Sequence, residues 1–210
     1  MHYEKINPNF LGVYMRKISL FVFVILLLNW GCSDEKQEEL IYKTLSREEV
    51  GSTLKQKGFF SKEYNFNKTF CNPNGDFQND YQAKTINGDQ FVIDRATGLM
   101  WHQSGSAEYL TFKDAKQWID DLNKHGYARY SDWRLPSLEE GASLLESSQK
   151  NDKLYIDPVF SKRQEWIWTG DKYSFASGGV WVVFFDGGMV DYSSIGTRSY
   201  GYVRPVRVEQ

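Results

Sequence analysis

Thiols, imidazoles and carboxylates carry most of the bond-breaking and metal-binding chemistry of proteins, and this chain spaces them thinly. Its two cysteines, Cys32 and Cys71, and its three histidines, His2, His102 and His125, are scattered, with no pair at the spacing of a zinc site, which needs several convergent nitrogen or sulfur donors. No histidine lies near Cys71 to make it a thiolate, so it reads as a semi-buried small residue. Neither a glycine-rich phosphate loop nor a Gly-x-Ser-x-Gly elbow is present. Asp171, Asp186 and Asp191 can bring oxygen ligands to a calcium ion at loop ends, although Asp186-Gly187-Gly188 also has the form of a self-capped turn. No metal or other cofactor is expected, calcium being the one exception to test, and no catalysis.

Aromatic side chains are the richer resource: they make up 16% of the chain, with 7 Trp and 13 Tyr. Trp168, Tyr173, Trp181, Tyr192, Tyr200 and Tyr202 crowd the last third together with Arg198 and Arg204. Rings beside guanidinium groups suit sugar rings, sulfates or partner side chains. Loops carry recognition on a fixed scaffold. Tyr173, Tyr192, Arg198 and Tyr200 are therefore the expected ligand contacts, with Ser174 and Ser193 beside them, whereas Trp168, Trp181 and Arg204 are expected to be buried framework.

The elements that must position these residues can be read from caps and periodicity. Ser131-Asp132-Trp133-Arg134-Leu135-Pro136 reads as an extended segment with Trp133 and Leu135 facing inward, and Ser137 with Glu140 forms a capping box that opens a helix from Leu138 to about Glu146. Arg134 is expected to be held by an internal carboxylate. Ser46 with Glu49 starts another helix, ending at Gly58, after which Phe59 and Phe60 pack back on the domain. Residues 91–94 and 99–101 read as a hairpin around Gly98. A third helix runs from Thr111 to Gly126 with Phe112, Ala115, Trp118, Ile119 and Leu122 as a core stripe. Residues 166–168, 180–185, 189–192 and 202–208 read as strands, the second apolar on both faces and hence central, the last interrupted by Pro205. The sum is an α+β domain with two helices flanking small antiparallel sheets.

Composition sets the surroundings. At 210 residues there is room for one good-sized domain and an appendage. A formal charge of −2 without a basic stripe argues against nucleic acid as a partner. Met15-Arg16-Lys17 and the apolar residues 18–28 have the form of a secretory signal, with Met15 the expected start, and Gly31-Cys32 before an abruptly polar stretch resembles a bacterial lipoprotein signal in which Cys32 takes the lipid. The organisation expected is therefore 1–32 as extension and signal, 33–80 as tether, short helix and irregular connection, and 81–210 as the compact domain. Membrane attachment through lipid, in the cell envelope, follows; Ser33 rather than Asp after the cysteine favours the outer membrane or cell surface over the inner membrane.

Several pieces in order carry a family resemblance: Asp94-x-x-Thr97-Gly98-Leu99-Met100-Trp101, the Thr111 helix before Gly126-Tyr127, Ser131 to Pro136, Trp166 to Thr169, Trp181-Val182-Val183-Phe184, and Tyr202-Val203-Arg204-Pro205-Val206-Arg207. Together, over residues 90–207, they resemble the Lcl C-terminal domain family, a domain of unknown function named for the end domain of a Legionella collagen-like adhesin. The resemblance implies a C-type-lectin-like fold with its first and last strands brought together, an extracytoplasmic setting, and Asp94, Trp101, Trp133, Arg134, Pro136, Trp168, Trp181 and Arg204 as framework. The founding adhesin implies a sulfated polysaccharide ligand. The Glu-Pro-Asn or Gln-Pro-Asp triplets of calcium-dependent lectins are absent, as is the cysteine pair of the related formylglycine-generating oxidases. A non-catalytic domain that binds carbohydrate or a protein ligand is the expectation; a structural envelope protein that docks a partner is the alternative, and an enzyme on the same fold the third.

Overall fold

The computed structural model describes residues 42–64 and 67–209; Cys32 and the signal region lie outside them. Strand β1 (Thr44–Leu45) leads into helix α1 (Arg47–Lys57), followed by β2 (Tyr81–Ile86), β3 (Asp89–Asp94), β4 (Leu99–His102), α2 (Phe112–His125), a single 3-10 turn at Tyr127–Arg129, α3 (Leu138–Ser143), β5 (Trp166–Tyr173), β6 (Gly179–Phe184), β7 (Met189–Ser194) and β8 (Val206–Val208). Two four-stranded sheets result, ordered β1-β5-β6-β7 and β2-β3-β4-β8. The fold is α+β, with two main helices and a smaller third.

Local chemistry sets the element boundaries. Ser46 accepts from the Glu49 N–H while the Glu49 carboxylate accepts from the Ser46 N–H, and Gly58 closes α1 in the left-handed region at φ 69°. Ser137 and Glu140 repeat the box at α3. That helix stops at Ser143, short of the expected Glu146, because the Leu144 and Leu145 N–H groups tighten onto Gly141 and Ala142, and the Glu146 N–H turns to the Tyr155 carbonyl. Strand β6 is central, as its two-sided apolar pattern requires. The last strand is shorter than the expected 202–208. Pro205 has no N–H, and Arg204 turns inward, so only residues 206–208 join the ladder, beside β4.

Alternation along the strands divides the interior in two. Val92, Trp101 and Val206 share one core with Ile167, Trp181 and Val183, while Phe91, Ile93 and Met100 share another with Trp168, Val180 and Val182. The first core also takes Val50 and Leu54 of α1, Phe59, Phe60 and Phe70. One compact unit therefore begins by Tyr42, upstream of the Tyr81 boundary read from sequence. Gly51 shows how close the approach is: a Cβ there would collide with the Thr69 carbonyl. Strand β2 is not among the strands read from sequence, because Tyr81-Gln82-Ala83-Lys84-Thr85-Ile86 has an exposed middle and no apolar alternation to announce it.

The Trp133 junction ties the C-terminus to the body. Arg134 exchanges both backbone hydrogen bonds with Val206 and forks onto Glu140 at 2.7 Å through each terminal nitrogen. Burial alone would raise the Glu140 carboxyl, but Arg134 and the Ser137 cap outweigh it and hold it below the usual range. Asp132 accepts the Arg207 Nε at 2.7 Å, and the Arg207 guanidinium lies 3.8 Å from the Tyr130 ring centre. Pro136 is buried at the corner, its carbonyl accepting from Gly170.

Candidate functional site

Four residues of α2, Trp118, Asp121, Leu122 and His125, follow one another at i, i+3, i+4 and i+7 and so present one helix face. With Asp89, at the start of β3, and Tyr127 they line a cleft of about 370 Å³. That volume lies toward the lower end of small-ligand pockets, roughly 300–1,000 Å³. The sequence reading placed Trp118 and Leu122 in the core stripe. Ala115 and Ile119 are indeed buried, while Trp118 and Leu122, at the margin of the stripe, stay half-buried and line the cleft.

Tyr127 is fixed by its surroundings. Gly126 ends α2 at φ 67°, and the next turn carries Ala128 and Arg129 at positive φ, a conformation that needs outside support. Asp89 Oδ2 supplies it by accepting the Ala128 N–H at 2.8 Å. The Tyr127 hydroxyl donates to the Gln90 carbonyl at 2.7 Å, and its ring stacks on His102 with centres 4.3 Å apart. Burial pushes this phenol up to about 12, so it stays a neutral donor. Trp133 braces the same turn, its indole N–H on the Tyr127 carbonyl at 3.1 Å and its backbone paired with the Asn123 side chain at 2.8 and 2.9 Å. The sequence signature around Trp133 thus holds the floor of the cleft.

The lining is rich in acceptors. Asp121 Oδ1 holds Lys124 at 3.0 Å and Gln117 at 3.1 Å. His125 Nδ1 meets the Asp121 carbonyl at 2.6 Å, which requires Nδ1 to carry the proton and leaves Nε2 as an acceptor in the neutral ring. Such a surface suits ring-shaped ligands with apolar faces and donor-bearing edges.

Beneath it, His102 Nδ1 accepts the Gly105 N–H at 3.0 Å, so the neutral ring carries its proton on Nε2. Burial, with Arg204 nearby, lowers the His102 pKa from 6.5 to about 4. A base whose folded pKa is depressed takes its proton first in the unfolded chain. Stability is therefore complete above pH 6.5 and is lost as pH falls towards 4, by about 3 kcal/mol from this group. Urea melts at pH 7 and pH 4.5 should show that loss in the wild type and a smaller one in His102→Gln.

The residues expected from sequence to contact ligand lie elsewhere, and α1 covers part of them. Tyr173 is only 5% exposed and stacks on Tyr192 with centres 4.0 Å apart. Arg47 places its guanidinium 5.3 Å from the Tyr192 ring centre and 5.6 Å from that of Tyr173, and donates to the Tyr192 hydroxyl at 2.9 Å. The faces offered to a ligand by the sequence pattern are thus partly taken by an arginine from far upstream. Tyr192, Arg198 and Tyr200 remain exposed. Asp94, Trp101, Trp168, Trp181 and Arg204 are fully buried and Trp133 nearly so, while Arg134 is half-buried in its Glu140 pair. Asp94 receives the Asp80 and Ala96 N–H groups and the Thr97 hydroxyl.

The three aspartates considered for calcium are engaged separately. Asp171 accepts the Lys43 and Leu138 N–H groups, Asp186 that of Gly187, and Asp191 that of Tyr192. Among the described residues no three His, Cys, Asp or Glu side chains gather as a metal would require, and no helix there is long and apolar enough to cross a membrane. Cys71 is buried, and burial raises its thiol above the ordinary value.

The model of the Lcl C-terminal domain matches residues 90–207, more than half of the chain. The chain belongs to the Lcl C-terminal domain family. A search of curated proteins finds no match. The Lcl domain so delimited contains the whole lining of the cleft except Asp89, which immediately precedes it, and none of β1, α1 or β2.

Proposed function

We propose that this Lcl-family protein is an extracytoplasmic lipoprotein, anchored through Cys32, whose C-type-lectin-like domain binds a carbohydrate ligand without catalysis in the cleft beside α2. The observation that carries the reading is the pairing of two aromatic residues, Trp118 and Tyr127, with the acceptors Asp89 and Asp121 around one concavity. Sugar rings offer apolar C–H faces to indole and phenol rings and hydroxyl donors to carboxylates. The Trp118 indole N–H, with no hydrogen-bond partner among the described residues, adds a donor for a ring oxygen or hydroxyl. A sulfated chain would meet like charge here, so the ligand is a neutral or basic saccharide rather than the sulfated polysaccharide that the family's founding adhesin implies. Binding without turnover is supported by the commitment of His102 to Gly105 and by the burial of Cys71.

Cell-surface placement in the outer envelope is part of the same proposal and rests on the Gly31-Cys32-Ser33 pattern. A second reading, a structural envelope protein that docks a partner, draws on Phe175, 74% exposed, and on Ile195 and Tyr200 exposed in the chain after β7. Titration of the full chain against a panel of neutral, basic and sulfated oligosaccharides separates the two. Saturable binding of a neutral or basic oligosaccharide, weakened by about tenfold or more in Trp118→Ala at unchanged melting temperature, is the expected result. Absence of binding across the panel by folded protein would favour partner docking.

A further inference from the structure

Building on the carbohydrate reading of the same cleft, we propose that it selects an amino sugar with a free, protonated amine, and that Asp89 is the residue that binds the ammonium group.

Two carboxylates line the cleft, and they differ. Asp121 is exposed and already carries the Lys124 ammonium and the Gln117 amide on one oxygen. Asp89 is half-buried and makes no ion pair among the described residues. Its Oδ2 takes the Ala128 N–H, which orients the group, and Oδ1 has no hydrogen bond among those residues. The bond to Ala128, the residue after Tyr127, and the cleft lining it shares with Trp118 and Tyr127 place Asp89 beside the aromatic floor. An uncompensated carboxylate held at a fixed angle beside Trp118 and Tyr127 offers an ammonium group two attractions at once. One is a charge-assisted hydrogen bond to Oδ1; the other is the negative face of a ring. Acetylating the amine removes the charge and both attractions. A sulfate or carboxylate on the sugar meets repulsion instead. The half-burial of Asp89 reduces the screening that would make the same pair negligible at an open surface.

Isothermal titration of the full chain with the β-1,4-linked glucosamine tetramer, its N-acetylated counterpart and the uncharged glucose tetramer tests the assignment. The glucosamine tetramer is expected to bind roughly 10–100-fold more tightly than either of the others, with the preference shrinking as salt is raised. Asp89→Asn keeps an oxygen for the Ala128 N–H and should bring the three affinities together, while Asp121→Asn, which alters an acceptor of the same cleft, should weaken all three tetramers alike and keep the ratio between them. Equal affinities in the wild type, or a preference that survives Asp89→Asn, would overturn the assignment and leave the carbohydrate reading standing. If none of the tetramers nor any oligosaccharide of the wider panel binds, or if binding ignores Trp118→Ala, the carbohydrate reading of the cleft fails and the proposal with it.

Discussion

Arg204→Ala is expected to cost about 3–5 kcal/mol of folding stability, a large share of what a single domain possesses. Arg204 is wholly buried, and no carboxylate faces it among the described residues. Its nitrogens donate to the carbonyls of His102, Gln103 and Ser161 and to the Gln164 side chain, and its guanidinium lies 4.8 Å from the Phe160 ring centre. Burial of the cation pulls its pKa well below the ordinary guanidinium value, to about 9, which still leaves it charged at neutral pH. Removing the side chain strands several buried oxygens at once and opens a cavity beside Phe160. Lysine at this position supplies charge but not the planar fork, and should recover less than half of the loss. Urea unfolding of the three proteins measures this directly. A loss below about 1 kcal/mol for Arg204→Ala would mean that water takes over its partners and that the buried cation is not structural.

Trp181→Ala should be comparably damaging, at about 3–5 kcal/mol. The side chain is fully buried in β6, with its ring 5.3 Å from Phe70 and from Tyr173, and 6.0 Å from Tyr192. Its indole N–H donates to the Leu45 carbonyl at 3.1 Å. Trp181 therefore joins the family domain to the β1 and α1 segment, which the family match does not include. Loss of the ring should loosen that segment first, so limited proteolysis between residues 42 and 80 should accelerate in Trp181→Ala at temperatures where the rest resists. Trp181→Phe, which keeps an aromatic face and loses the bond to Leu45, should fall between. The same packing predicts that a chain begun at Tyr81 lacks Phe70, Val50 and Leu54 from its core.

Features that depend on near neighbours in sequence were legible. The two capping boxes, the glycine stops at Gly58 and Gly126, the hairpin about Gly98 and the central position of β6 all come from short-range rules, and each stands where the pattern put it. An internal carboxylate was expected for Arg134 without being named; it is Glu140, only six positions on. Long-range packing was not. Arg47 reaches Tyr192 across 145 positions, and nothing in the spacing of either residue signals the meeting. The cleft escaped for a related reason. Trp118 and Leu122 fit the helical stripe and read as core, and only Asp121 and His125, continuing the same face with polar groups, hinted that this margin looks outward. Its other wall, Asp89 and Tyr127, comes from two further elements joined through the Ala128 N–H. Thr169-Gly170-Asp171 hid the length of β5, since the glycine there admits the Tyr42 ring and the aspartate turns inward to cap Leu138.

The most direct test of the binding account is a ¹H–¹⁵N correlation spectrum of the full chain, followed on the indole N–H signals as glucosamine tetramer is added. With 7 tryptophans the indole region is simple, and a Trp118→Phe sample assigns the signal that matters. The account predicts that the Trp118 indole N–H moves furthest and saturably, with the Tyr127 and Ala128 amides following it and the amides of Arg198 and Tyr200 unmoved. Shifts confined to the Arg198 and Tyr200 loop, with the Trp118 signal still, would contradict it and return the binding site to the loop residues first expected from the sequence.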